Sequence, residues 1–134
     1  MEKQKYAAIV LAAGSGKRMN SQVHKQYLII QDRPVLYYSL KEFQDSAVDE
    51  IVLVVGKGEE EFCRREIVDK YGISKVKAIV EGGKERYHSV FEGLKQTSDA
   101  DYVLIHDGAR PFVNQDIIRR CMLEVPEYQA CVVG

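Results

Sequence analysis

The chain has 134 residues, 46% of them hydrophobic and 29% charged, with a formal net charge of −1. That is the size of one modest domain with enough apolar side chains to build a core. The near-neutral balance excludes a broad basic field for nucleic acid, and no apolar run reaches the roughly 20 residues that a membrane-spanning helix needs.

The elements read in order as follows. Residues 7–12 (AAIVLA) predict a first strand that opens into a glycine loop. The charged and then apolar start has the outline of a signal peptide. Its apolar run is short and partly β-branched, and two cations follow it, so a strand is the better reading. Pro34 is expected as the first residue of a helix with Val35, Leu36, Leu40 and Phe43 on one face. Residues 51–55 (IVLVV) form a continuous apolar run, the pattern of a strand covered on both faces. Gly56 and Gly58 end it, and Glu59, Glu60 and Glu61 then suit the first turn of a helix whose Phe62, Ile67 and Tyr71 face inward. Residues 76–80 (VKAIV) predict the next strand, and EGGKERYHSV leads into a helix with Val90, Phe91 and Leu94. Residues 102–105 (YVLI) predict a strand that ends in HDGARPF. Asn114 is a good N-cap for a helix with Ile117, Ile118, Cys121 and Met122, and residues 130–133 (ACVV) begin another strand.

Cys63 stands four before Ile67 and Cys121 four after Ile117, which puts both on apolar helix faces. With Cys131 they form no CxxC pair, and they read as free thiols of a reducing compartment, hence a cytoplasmic protein.

The alternation of strands and helices predicts an α/β fold: a mainly parallel sheet with right-handed crossovers and helices on both faces. Ligands of such folds sit at the carboxyl ends of the strands. Those ends here carry AAGSGKR, EGG and HDGARP, so three polar or glycine-rich loops are expected on one edge. The chain stops within a strand-like run, so it is expected to be the front part of a longer protein.

LAAGSGKRM, residues 11–19, suggests two familiar phosphate loops and matches neither. A Walker A loop would need glycine at Leu11 and a hydroxyl at Arg18, and a dinucleotide loop would need its third glycine at Met19. What remains is a bare backbone at Ala12, Ala13, Gly14 and Gly16, open to a nucleotide's phosphates, with Lys17, Arg18 and then Lys25 to meet their charge. Asp107 follows a buried strand. It is either turn chemistry or, opposite a phosphate loop, a hard oxygen ligand for Mg²⁺ with Arg110 nearby. Gly82 and Gly83 allow backbone contact with a flat base, and Lys84, Arg86 and Ser89 supply donors. His24, His88 and His106 lack metal spacing and are assigned no chemistry, His106 reading as a packed strand-end residue.

With LAAGSGKRM, KQYL, GGKERYHSV and HDGARPF in that order, the sequence resembles the 2-C-methyl-D-erythritol 4-phosphate cytidylyltransferases of the non-mevalonate isoprenoid pathway. The resemblance covers essentially the whole chain. It implies a Rossmann-like three-layer nucleotidyltransferase fold, apparently truncated. Residues 1–134 would be the nucleotide-binding part of a single domain that lacks the family's C-terminal part and dimerisation arm. It implies attack by a sugar-alcohol phosphate oxygen on the α-phosphorus of CTP, with pyrophosphate leaving. Arg18 and Lys25 match the catalytic pair. Ala12, Ala13, Gly14, Ser15 and Gly16 match the nucleotide loop, and Gly83, Lys84 and Ser89 match positions near the cytosine and ribose. Asp107 matches the Mg²⁺ ligand and Arg110 a residue near the sugar phosphate. The family is homodimeric. His24 stands where the family often has proline. Ribitol-5-phosphate cytidylyltransferases share the glycine loop and the cation pair, so the sugar is not fixed by these motifs. A non-catalytic CTP-binding fragment is the other reading of so short a chain.

Overall fold

Tyr6–Ala12 forms β1, the central strand, and nearly all of it is buried. The computed structural model describes residues 5–12, 29–30, 33–83, 85–97, 99–107, 115–128 and 130–133. Ile29–Ile30 (β2) and Arg33–Pro34 (β3) form a small antiparallel pair, and Val35–Gln44 (α1) follows directly. Glu50–Val55 is β4, Glu60–Cys63 is α2, which runs on as a π-helical segment over Arg64–Asp69, and Val76–Glu81 is β5. Arg86–Lys95 is α3, Tyr102–Asp107 is β6, Gln115–Tyr128 is α4 and Ala130–Val133 is β7.

The five long strands form one parallel sheet in the order β5-β4-β1-β6-β7. The chain walks outward from β1 through β4 to β5, then returns to the other side of β1 for β6 and β7. The expected mainly parallel α/β architecture is therefore present. Successive strand residues point to opposite faces, and the core divides accordingly. Ala8, Val10, Ala12, Ile51, Leu53, Val55 and Leu104 pack with Leu36, Leu40 and Phe43 of α1, with Cys63 and Ile67, and with Ile118 of α4. Ile9, Leu11, Val52, Val54, Val103 and Ile105 face the other way, with Val90 of α3 packed against them. A Cβ on Gly93 would lie 2.7 Å from Cγ2 of Ile9, so glycine lets α3 lie against the sheet.

Several expectations need adjustment. Pro34 belongs to β3 rather than to the helix: proline's fixed φ suits either state, and the pairing with Ile29 decides for the extended one. Phe62 is 40% exposed. It lies about 100° around the helix from Cys63, and Cys63 and Ile67 form the stripe that reaches the core. Tyr71 does turn inward, its ring 4.6 Å from that of Tyr37. On α3 the buried positions are Ser89 and Gly93, with Thr97 buried just past its end, while Phe91 and Leu94 lie on the exposed flank. β6 runs two residues beyond Ile105, because its pairing with β1 continues to Leu11 and Asp107. Cys63 is a buried free thiol, as expected. The side chain of Cys121, and Asn114, lie outside the described positions.

The amino-terminal edge of the sheet is closed by charge. Lys5 Nζ lies 2.8 Å from Glu50 Oε1 and 2.5 Å from Asp99 Oδ2, and Lys77 Nζ lies 2.9 Å from Glu50 Oε2. This network joins the starts of β1, β4 and β5 to the turn before β6, at the end of the sheet opposite the glycine loop.

Candidate functional site

The strand order has a switch point between β1 and β6, where the chain's outward walk reverses. Crevices at the carboxyl ends of such strands are where parallel α/β folds bind ligands. Ala12, the last residue of β1, is buried and pairs in register with Val55 at the end of β4. Its neighbour Leu11 pairs with Asp107 at the end of β6. The Val55 carbonyl in turn accepts a hydrogen bond from the Gly82 N–H at 2.8 Å. A single row across the sheet therefore stitches together the root of the glycine loop, the Asp107 carboxylate and the Gly82–Gly83 turn. Ala13, Gly14, Ser15, Gly16, Arg18, Lys25, Lys84 and Arg110 lie outside the described residues.

Asp107 is half-buried. By strand alternation it follows Val103 and Ile105 on the α3 side of the sheet. His106 points to the other side, fully buried, with Nε2 3.0 Å from Ser39 Oγ and its ring 5.7 Å from that of Phe43. It is a packed strand-end residue, as the sequence suggested.

The Gly82–Gly83 turn is held from the helix side. The Glu85 N–H donates to Nδ1 of His88 at 3.3 Å, and the Tyr87 ring lies 4.2 Å from the His88 ring. A Cβ on Gly83 would stand 2.3 Å from the His88 Cβ, so the close approach demands glycine. Ser89 is 2% exposed and lies on the sheet-facing side of α3. Sequence reasoning gave His88 no role; its place three residues after Glu85 at a helix start was the available signal.

Two carboxyls meet at the same edge. Glu81, the last residue of β5, accepts from the Gly58 N–H at 2.9 Å. That bond and a second one with the Glu60 side chain hold Glu81 below the ordinary carboxylate range, while the bond to Glu81 pushes Glu60 up. The Gly58 bond fastens the β4–α2 turn to the end of β5. A cavity of about 440 Å³ lies along this flank, lined by Glu60, Glu61, Arg64, Arg65, Asp69 and Ile79. Among the described residues, no group of three or more histidine, cysteine or acidic side chains is arranged to hold a metal.

The sheet order, with a glycine-rich segment leaving the central strand at the switch point, defines the Rossmann-like fold of the nucleotidyltransferases. Residues 6–134 match the model of the 2-C-methyl-D-erythritol 4-phosphate cytidylyltransferase family, and the chain belongs to that family. It is 53% identical over 131 residues to the enzyme of that name from Lachnoclostridium phytofermentans, covering 98% of this chain and 56% of its relative. It is likewise 53% identical over 128 residues to the one from Lachnospira eligens, covering 95% and 56%. Among solved structures, the 4-diphosphocytidyl-2C-methyl-D-erythritol synthase of Anaerococcus prevotii superposes with a TM-score of 0.74 at 32% identity, over 91% of this chain and 51% of the other. The chain thus spans about half the length of the relatives it matches.

Proposed function

We propose that the full-length protein transfers the cytidylyl group of CTP to 2-C-methyl-D-erythritol 4-phosphate, and that this chain supplies its nucleotide-binding part. The observation that carries the reading is the row Asp107–Leu11–Ala12–Val55–Gly82, which brings a carboxylate, a phosphate-loop root and a glycine turn to one edge. A phosphate oxygen of the acceptor forms a bond to the α-phosphorus of CTP, and the bond to pyrophosphate breaks. Negative charge grows on the five-coordinate phosphorus, and fixed cations there lower the barrier. Arg18 and Lys25 are assigned that role. The backbone of Ala12, Ala13, Gly14, Ser15 and Gly16 cradles the phosphates. Gly83, Lys84 and Ser89 are assigned to the cytosine and ribose, and Arg110 to the acceptor's phosphate.

Asp107 fits Mg²⁺, which takes one or two carboxylates and completes its shell with substrate phosphates and water rather than a protein cage. When bound, the ion would offset phosphate charge. We assign the full-length enzyme to the cytoplasm as a homodimer.

The test is pyrophosphate release by the full-length protein, with CTP and either methylerythritol phosphate or ribitol 5-phosphate. The reading expects the higher kcat/KM with methylerythritol phosphate. No release with that acceptor, or a preference for ribitol 5-phosphate, would overturn it. CTP binding without release would make the protein a binding module.

A further inference from the structure

The Gly82–Gly83 turn is fastened at both ends. On the sheet side the Gly82 N–H donates to the Val55 carbonyl at 2.8 Å, and Glu81 just before it accepts from the Gly58 N–H at 2.9 Å. On the helix side the fastening falls to His88, in the first turn of α3. Its Cβ, Cγ and Nδ1 would stand 2.3, 3.0 and 3.4 Å from a Cβ at Gly83, so the side chain lies directly over the glycine. Nδ1 accepts from the Glu85 N–H at 3.3 Å, and the Tyr87 ring stands 4.2 Å from the imidazole. His88 therefore meets the turn at Gly83 and the helix start at Glu85, and bridges the step between them. The next residue, Ser89, is 2% exposed on the sheet-facing side of α3. A glycine turn has little restraint of its own. Where the Gly83 backbone stands relative to Ser89 is accordingly set by the His88 side chain.

That spacing matters for a flat base. Cytosine presents an amino donor and a ring-nitrogen acceptor where uracil presents a carbonyl acceptor and an N–H donor. A backbone group held in place rejects the wrong edge, because the mismatch leaves polar groups unpaired. A group free to shift discriminates less.

We propose that His88 is a positioning residue that sets the choice of nucleobase: by clamping Gly83, it holds the backbone that reads the cytosine edge and so disfavours UTP. This rests on the function proposed above, in which Gly83 and Ser89 meet the cytosine and ribose. His88 does not touch substrate. Its loss acts on nucleotide binding and base preference rather than on the transfer step.

The experiment uses the full-length protein, with initial rates at varied CTP and varied UTP. His88→Ala keeps the Cβ and removes the ring and the acceptor. KM for CTP should rise about 5- to 10-fold with kcat within about 2-fold, and the ratio of kcat/KM for CTP to that for UTP should fall about 10-fold. His88→Asn should bring both back to within about 2-fold of wild type, because its Oδ1 lies as many bonds from Cβ as Nδ1 does and can accept the same N–H. A wild-type base ratio in His88→Ala overturns the proposal. So does a fall in kcat for both nucleotides that follows Tm and leaves the ratio unchanged, since that is a purely structural effect. If the alanine variant does not fold, His88→Phe, which keeps a ring without the acceptor, is compared with His88→Asn, and an equal base ratio in the two overturns it instead. An inactive wild type, or one that prefers UTP, would sink the functional reading itself; an active, CTP-preferring wild type matched by His88→Ala sinks only the positioning role.

Discussion

Leu11 and Asp107, far apart in the sequence, are register partners across β1 and β6. The carboxylate therefore stands one residue short of the point where the glycine loop leaves the sheet. Asp107→Asn in the full-length protein keeps the size and removes the charge. Turnover should fall on the order of 100-fold, with little change in Tm, because the residue sits half-buried at the sheet edge. Pyrophosphate release and thermal unfolding check the two halves of this statement. A variant that turns over like wild type at low Mg²⁺ would remove Asp107 from the site.

Arg18→Ala and Lys25→Ala should each lower kcat by about 100- to 1,000-fold, the scale of losing one fixed donor at a centre of developing charge. Arg18→Lys should restore only part of it, since an ammonium lacks the planar fork of donors. Near-intact turnover in both alanine variants would show that the transition-state charge is met elsewhere.

Gly83→Ala places a Cβ 2.3 Å from the His88 Cβ, which is backbone-anchored and cannot swing away. The turn must shift, at a cost of about 1–3 kcal/mol. The expected outcome is a raised KM for CTP with a smaller change in kcat, read from initial rates at varied CTP. An unchanged KM would separate this turn from nucleotide binding.

At the opposite edge, the Lys5 ammonium holds Asp99 below its ordinary value of 3.8, and Asp99 first, then Glu50, hold Lys5 above its ordinary 10.5. Asp99 has the lower pKa in the folded state, so its contribution is complete above 3.8 and fades as pH falls through the folded value. Lys5 has the higher pKa when folded, so its contribution is complete below 10.5 and fades in stronger alkali. Asp99→Asn should lower Tm slightly at neutral pH, less so in high salt, because Asp99 is 58% exposed. The difference from wild type should shrink as pH falls below 3.8. A gap that persists in strong acid would assign the effect to something other than charge.

The sequence by itself determined the family and the main strands and helices, though not the short Ile29–Ile30 and Arg33–Pro34 pair. Continuous apolar runs such as IVLVV mark strands covered on both faces, and the spacing of Leu36, Leu40 and Phe43 marks the buried side of α1. These are local signals, because burial imposes a period of two or 3.6 on neighbouring residues. The chemistry-bearing motifs were legible for a related reason: each is a short string at the end of one strand.

Only the tertiary structure decided which strand lies beside which. Nothing local to YVLI states that β6 returns to the side of β1 away from β4, yet that return sets Asp107 next to Leu11. Periodicity likewise could not place Phe62 on the exposed flank. Nor could it foresee that His106 and Ser39, each polar and each unremarkable in its own segment, meet inside the core. Local pattern records how deeply a residue is buried. The partner it is buried against depends on packing between distant segments, and that is settled only when the sheet closes over its helices.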